Sequence, residues 1–139
     1  MSKLLRRAKI RYEHAKEDYK KVNEDDAYAD YCCYNLQQGI EMTLKYLVEM
    51  SGQTYVENHD IRAQLNKLNR VGFEIPAEER LRVIASTVNS WETESRYKDD
   101  FVALNEDIKE AMEILEMLIE KAESLVEPVM TKPIDSFGE

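Results

Sequence analysis

The sequence predicts an all-α domain, an up-and-down bundle of four to five helices. Three observations carry this expectation. The 139-residue chain holds only 4 Gly and 3 Pro, while Ala, Leu, Glu, Lys and Met, the residues that lose least on entering a helix, dominate it. Apolar residues recur three and four positions apart through most of its length, the spacing that lines one side of a helix. Val, Ile and Thr nowhere gather into the alternating run that a half-buried strand requires. The length fits one domain, and 43% apolar residues supply a core.

Taken in order, the first helix spans about residues 3–22, with Leu4, Ala8, Tyr12, Ala15, Tyr19 and Val22 as its apolar stripe. Asn23 begins a short break, so the first two helices are expected to form an antiparallel hairpin. The second helix spans about residues 25–50, with Ala29, Cys32, Cys33, Leu36, Ile40, Leu44, Leu47 and Val48 inward. Asp25 and Asp26 suit its positive end, and Ser51–Gly52 closes it. A shorter third helix, about residues 60–69, turns Ile61, Leu65 and Leu68 inward, with Asn58 or Asp60 as its cap and Gly72 as its stop. Phe73 and Ile75 are expected to seal one end of the core. Pro76 suits the first turn of a fourth helix, whose buried positions are Leu81, Ile84, Ala85, Val88 and Trp91. A loop is placed around residues 97–100. The fifth helix starts near Asn105 and runs through Ile108, Ala111, Met112, Leu115, Ile119, Ala122 and Val126 until Pro128 stops it. The domain therefore covers residues 1–127, and residues 128–139 read as a flexible tail.

A net charge of −9 disfavours broad binding to nucleic acid or to anionic membranes, both of which reward cationic surfaces. The charge is uneven. Residues 1–22 carry eight Lys/Arg against three acids, and residues 99–139 carry twelve acids against three Lys. The first and last helices are thus expected to lie side by side, although two solvated faces would read the same way. No apolar run approaches the roughly 20 residues of a membrane span. Cys32 and Cys33 are adjacent, a spacing that suits neither a metal site nor a redox pair, and free buried thiols fit a reducing cytoplasm. No metal and no cofactor is expected. Glu13, His14 and Glu17 read as a solvated helix face.

Three polar constellations stand out. Tyr34, Gln38, Glu41 and Lys45 form a ladder on the second helix, on a face distinct from Leu36, Ile40 and Leu44. The tetrad Asn58, His59, Asp60 and Ile61 opens the third helix; His59 can point back toward the second helix or into a cleft. Arg96 and Tyr97 follow the anchor Trp91. Arg96 offers a planar donor fork that is always charged. Its expected partner is Glu41 or Asp60, and a structural ion pair and an anion-binding role both remain open. With such a pair, Arg96 is expected to matter more to stability than Arg6 or Arg80. Tyr28, Tyr31 and Tyr34 recur every third position and serve either as core edges or, together with Met42, as a dimer surface.

Tyr34, Gln38, Glu41 and Lys45, the Asn-His-Asp-Ile tetrad, and Arg96–Tyr97, in this order and at these separations, resemble the HEPN domains of prokaryotes. These are small helical proteins often encoded beside minimal nucleotidyltransferases. The resemblance covers about residues 3–126 and implies a bundle that commonly dimerises. Many such domains are ribonucleases of toxin–antitoxin or defence systems, in which an Arg holds phosphate and a His shortly after it moves a proton. This chain has Arg96, but the corresponding later positions hold Phe101, Val102 and Ala103, which transfer no protons. The Arg96–Tyr97 form is similar to the branch associated with nucleotidyltransferases, where the helical domain is a partner or a nucleotide-related binding module. Gly39 departs from the alanine often found at its position and can permit close helix contact. The resemblance thus implies a noncatalytic module that forms a homodimer and partners a minimal nucleotidyltransferase, with Tyr34, Gln38, Glu41, Lys45, Asp60, Arg96 and Tyr97 as its ligand- or partner-binding residues. Two alternatives stay open. One is a metal-independent, toxin-like ribonuclease with an atypical site of His59, Arg96 and Tyr97, acting on RNA or a nucleotide. The other is a structural adaptor in which every polar motif is satisfied internally.

Overall fold

A computed structural model describes residues 2–125. Five helices follow one another: α1 (Lys3–Lys20), α2 (Ala27–Met50), α3 (Ile61–Arg70), α4 (Glu78–Tyr97) and α5 (Asn105–Glu123). The arrangement is an all-α bundle in which α2 packs against each of the other four helices. The expected inward position of Val126, the stop at Pro128 and the tail at 128–139 lie outside the described residues.

Local chemistry sets the helix ends. Ser2 caps α1 by accepting from the Leu4 N–H, and Asp60 caps α3 by accepting from the Arg62 N–H. Gly52 and Gly72 take φ of 89° and 69° just beyond α2 and α3. That left-handed turn lets the N–H groups of Gln53 and Phe73 reach back to Val48 and Leu68. Two expected starts shift. The Asp25 carboxylate accepts from the Ala27 N–H outside α2, so that helix begins two residues later than the charge pattern implied. Pro76 precedes α4 instead of opening it. Ala77 turns the chain there at φ 57°, and Glu78 and Glu79 supply the negative charge of the first turn.

Side-chain contacts fix the packing directions. Cys32 Sγ faces the Ala15 carbonyl, Asn35 reaches Arg11 and Asp18, and Gly39 approaches Ala8. As α2 advances, its partners on α1 recede, so the two are antiparallel. Lys9 pairs with Glu123 and Tyr19 donates to Asn105 at 2.8 Å, which sets α1 beside α5, as the charge asymmetry implied, and antiparallel to it. The core holds Leu36, Ile40, Leu44, Trp91, Leu115 and Leu118 with their neighbours. The expected inward stripes are buried at Ala8, Ala15 and all the named positions from Cys32 to Val48, while Tyr12 and Tyr19 are only partly covered. Burial drives the Cys32 thiol up to about 12 and raises Cys33 as well, as expected when a thiolate would lose its hydration.

Gly39 is a tight point. A Cβ built there would stand 2.7 Å from Leu115 Cδ2, so any larger residue would require that leucine to move. Ala at this position gains up to about 1 kcal/mol of helix propensity against about 1–3 kcal/mol of overpacking. Gly39→Ala is expected to lower stability in denaturant unfolding, and Leu115→Ala to lower it by about 2–5 kcal/mol. The double variant should lose less than the sum of the two; strict additivity would mean that the two side chains do not compete for one space.

A second constraint joins α4 to α5. Arg80 forks onto Glu110 at 2.7 Å through both Nε and Nη2 and onto Glu113 at 2.8 Å. This corrects the expectation that Arg80 is an inconsequential surface residue; the register of α4 on α5, which no local pattern discloses, brings the three charges together. The Arg80 hydrogen bonds hold the Glu110 carboxyl below its ordinary value of 4.5. The resulting stabilisation is present above that value and is lost as the pH falls through the lowered one. Arg80→Ala should therefore lower the melting temperature more than Arg6→Ala at neutral pH and low salt. The difference should shrink in high salt and as the pH falls through the lowered Glu110 value; a difference constant across both would point to packing instead of charge.

Candidate functional site

The polar ladder of α2 divides into two places. At the first, Glu41 is only 4% exposed, and a carboxylate so buried needs partners. His59 Nδ1 lies 2.7 Å from its Oε2, and Lys45 Nζ lies 4.0 Å from its Oε1. Lys45 also rests over the Tyr55 ring. His59 is positioned because Asn58 accepts from the Asp60 N–H and Asp60 caps α3, which folds the imidazole back onto α2. Asn89 of α4 ties down the same turn by accepting from the Ile61 N–H and donating to Asp60. Gln38 is buried, and its amide donates to Gln37 at 2.9 Å.

The second place is centred on Tyr34. Its ring is approached by two guanidinium groups, Arg96 at 4.8 Å and Arg11 at 5.4 Å from the centroid. Cations sit over aromatic faces because the ring quadrupole attracts them. Arg96 is also anchored on its own helix, donating from Nη2 to the Glu92 carboxylate and from Nε to the Glu92 carbonyl at 2.9 Å, and it lies beside Tyr97. The expected pairing of Arg96 with Glu41 or Asp60 is therefore wrong. Glu92, one turn earlier on α4, reaches it within the helix, while Glu41 and Asp60 are engaged by His59 and by the α3 cap. Tyr97 is exposed at the end of α4.

Arg11 is held by its Nη1, which donates to Asn35 Oδ1 at 3.0 Å, and Asn35 in turn donates to Asp18 at 3.0 Å. Burial raises the Asp18 carboxyl above its ordinary range, against the opposing pull of the Asn35 amide and nearby His14. These groups line a cavity of about 590 Å³ where α1, α2 and α4 meet, together with His14, Asp30, Tyr31 and Ser95. Asp30 is also raised, first by burial and then by Asp26 and Asp25. A smaller hollow of about 330 Å³, lined by Arg7, Ile10 and Met42, shares Arg11 and His14 with it.

Of the residues singled out by sequence, the structure brings Tyr34, Arg96 and Tyr97 together in one place and Glu41, Lys45, His59 and Asp60 in another. Tyr34 and Glu41 are seven positions apart on α2, about 10 Å at 1.5 Å per residue. Arg11, His14, Asp18 and Asn35 were not singled out as a site. Their signal was the offset of 7, 11, 14 and 18 on α1, which sets Arg7, Arg11, His14 and Asp18 along one face; Glu13 and Glu17, read with His14 as solvated, belong to another. Among the described residues no cluster of His, Cys, Asp and Glu is arranged to hold a metal ion, and no helix is long and apolar enough to cross a membrane.

No curated protein and no solved structure matches the chain. The family model described as the HEPN domain matches residues 1–125. With five packed helices and a match over nearly its whole length, the chain belongs to the HEPN domain family.

Proposed function

We propose that the chain is a noncatalytic HEPN binding module that forms a homodimer and works in the cytoplasm with a minimal nucleotidyltransferase, in a toxin–antitoxin-like or nucleotide-related system. The observation that carries this reading is the engagement of His59 with Glu41, two helical turns along α2 from the ring on which Arg96 rests. Arg96 can hold an anion there. An imidazole bound to another carboxylate about 10 Å away does not take a proton from a group that Arg96 orients, because proton transfer needs hydrogen-bond reach. The positions where the family places its His hold Phe101, Val102 and Ala103, which transfer no protons. This geometry disfavours the ribonuclease of His59, Arg96 and Tyr97 within one subunit. The adaptor reading is disfavoured by the open cavity beside Tyr34.

The dimer surface is assigned to the outer side of α1 and α2. Ile10 is 55% and Tyr31 60% exposed, and Met42 lines a hollow together with Ile10 and Arg7. A large apolar group at a helix surface that its own core leaves uncovered fits a protein contact. Buried free thiols at Cys32 and Cys33 are consistent with a reducing compartment.

The chain is expected to sediment as a dimer at micromolar concentration and to retain a co-expressed minimal nucleotidyltransferase through purification. Tyr31→Asp with Met42→Asp should give a monomer with unchanged helical content, whereas an unchanged dimer would move the interface elsewhere. Mixed single-stranded RNAs incubated with the protein without metal should stay intact. Cleavage that disappears with Arg96→Ala or His59→Ala would replace this reading with the ribonuclease.

A further inference from the structure

His59 faces a buried carboxylate on one side and solvent on the other. Its Nδ1 lies 2.7 Å from Glu41 Oε2, yet its side chain is 58% exposed against 5% for Glu41. A carboxylate only accepts, so Nδ1 carries the ring proton and the lone pair stands on Nε2. Nε2 points away from Glu41 and has no hydrogen-bond partner among the described residues. Lys45 Nζ, 4.0 Å from Oε1, supplies the opposite charge on the far side of the carboxylate. A pair that served packing alone would bury both of its members. Here the nitrogen left outside is the one that holds the lone pair.

The ring is held from both of its chain neighbours. Asn58 accepts from the Asp60 N–H at 2.9 Å, Asp60 caps α3, and Asn89 accepts from the Ile61 N–H. A nucleophile whose orientation is set beforehand loses less freedom when it reacts. An imidazole in this tautomer forms a bond at Nε2 without first giving up a proton. The ring then becomes a cation, and Glu41 already stands against Nδ1–H to stabilise it. The group that such a bond would add sits beside the start of α3, which begins two residues later. That end of a helix favours added negative charge, and the neighbouring Asp60 carboxylate is occupied by the Arg62 N–H and by Asn89. A phosphoryl group brings such charge, whereas an acyl group does not.

We propose that His59 Nε2 is a phosphoryl acceptor, positioned by Glu41, and that its donor is an acyl phosphate. Nε2 attacks phosphorus, the phosphorus–oxygen bond to the acyl group breaks, and the carboxylate leaves with that electron pair. Nδ1 keeps its proton against Glu41 throughout. Discharge to water breaks the nitrogen–phosphorus bond, returns the electron pair to Nε2 and releases inorganic phosphate. This goes beyond the binding role above and does not depend on it, because Glu41 and His59 stand apart from Tyr34 and Arg96.

The chain carries its own reference. It has two His, and His14 is exposed as well but has no hydrogen-bonded carboxylate among the described residues. The full chain is incubated with acetyl phosphate at about pH 8, where an unpaired imidazole is neutral. Phosphorus NMR and peptide mass mapping in alkali then locate the label. His59 is expected to be labelled about tenfold or more faster than His14, in line with one charge-assisted contact, and the label should be lost in acid. Nitrogen NMR should find the ring proton of His59 on Nδ1. His59→Gln should abolish the fast label. Glu41→Gln, with unchanged circular dichroism, should slow His59 to the rate of His14 and release its ring proton to Nε2. The ratio between the two histidines in the native chain decides the matter even where Glu41→Gln does not fold. Equal labelling of both histidines, no label on either, or label only on hydroxyl groups would overturn the acceptor. So would a His59 proton found on Nε2 in the native chain, or a folded Glu41→Gln variant that reacts at the native rate.

Discussion

The enclosure of α2 is the constraint on which the rest of the molecule depends. Where four other helices cover it, α2 cannot send its polar side chains to water, and nearly all of those buried groups are met by a neighbour. Asn35 is met by Arg11 and Asp18 from α1, and Tyr34 by Arg96 from α4. His59, from the turn before α3, meets Glu41. Thr43 bonds back to the Gly39 carbonyl at 2.7 Å. Gln37 Oε1 accepts from Gln38, and the buried Gln37 Nε2 has no partner among the described residues. The polar contacts of α2 therefore do what its apolar stripe cannot. They fix which face of each surrounding helix turns inward, because a rotation of α1 or α4 would strand a buried amide or carboxylate at a cost of about 1–3 kcal/mol or more.

Gly39 sets how closely this can happen. Leu115 occupies the space where a Cβ would be, and Ala8 of α1 is fully buried on the same stretch. Small residues at one level draw α1, α2 and α5 together. The larger groups above and below, Leu36, Ile40 and Leu44, then fill the wider spaces. Close packing at one level leaves less room for adjustment at the next, since protein interiors are as dense as molecular crystals. That links the backbone approach at Gly39 to the position of Tyr34, little more than one turn away on the same helix.

The helices were legible in the sequence because burial acts on each helix separately and leaves a period of three to four residues in the order of apolar side chains. Helix ends were legible where a glycine or a capping side chain marks them, as at Gly52, Gly72 and Asp60, and less so at α4, where Ala77 takes a left-handed turn that no residue type announces. Pairing between helices was another matter. Arg96 pairs within α4 with Glu92, four positions earlier, but the partners of Arg80 depend on how α4 is rotated and shifted against α5. Composition records neither quantity. Arg96 was singled out correctly as a constrained residue but assigned the wrong carboxylates, and Arg80 was set aside although it faces two. Of the cavity site, Tyr34 was visible in the ladder on α2 and Arg96 at the end of α4. The α1 wall, Arg11, His14 and Asp18, was hidden because their spacing says only that they share a face of α1, and what lies across that face is set by the hairpin.

The charge of the chain then acquires a spatial meaning. Acidic residues are spread over α5, and the positive charges at Lys9 and Arg80 are drawn into ion pairs with it. Glu78 and Glu92 likewise occupy Arg82 and Arg96 within α4. Arg11 is the contrast, because its partner is the neutral Asn35. The Asn35 amide stands between the guanidinium and the Asp18 carboxylate, donating to one and accepting from the other. The arrangement holds Arg11 in place without neutralising it. A direct bridge to Asp18 would cancel the field at the cavity wall, whereas an intervening amide leaves that field in being next to a second guanidinium. Arg11 thus keeps its charge in a chain whose net charge is −9, and it does so because a buried asparagine of α2 separates it from the Asp18 carboxylate.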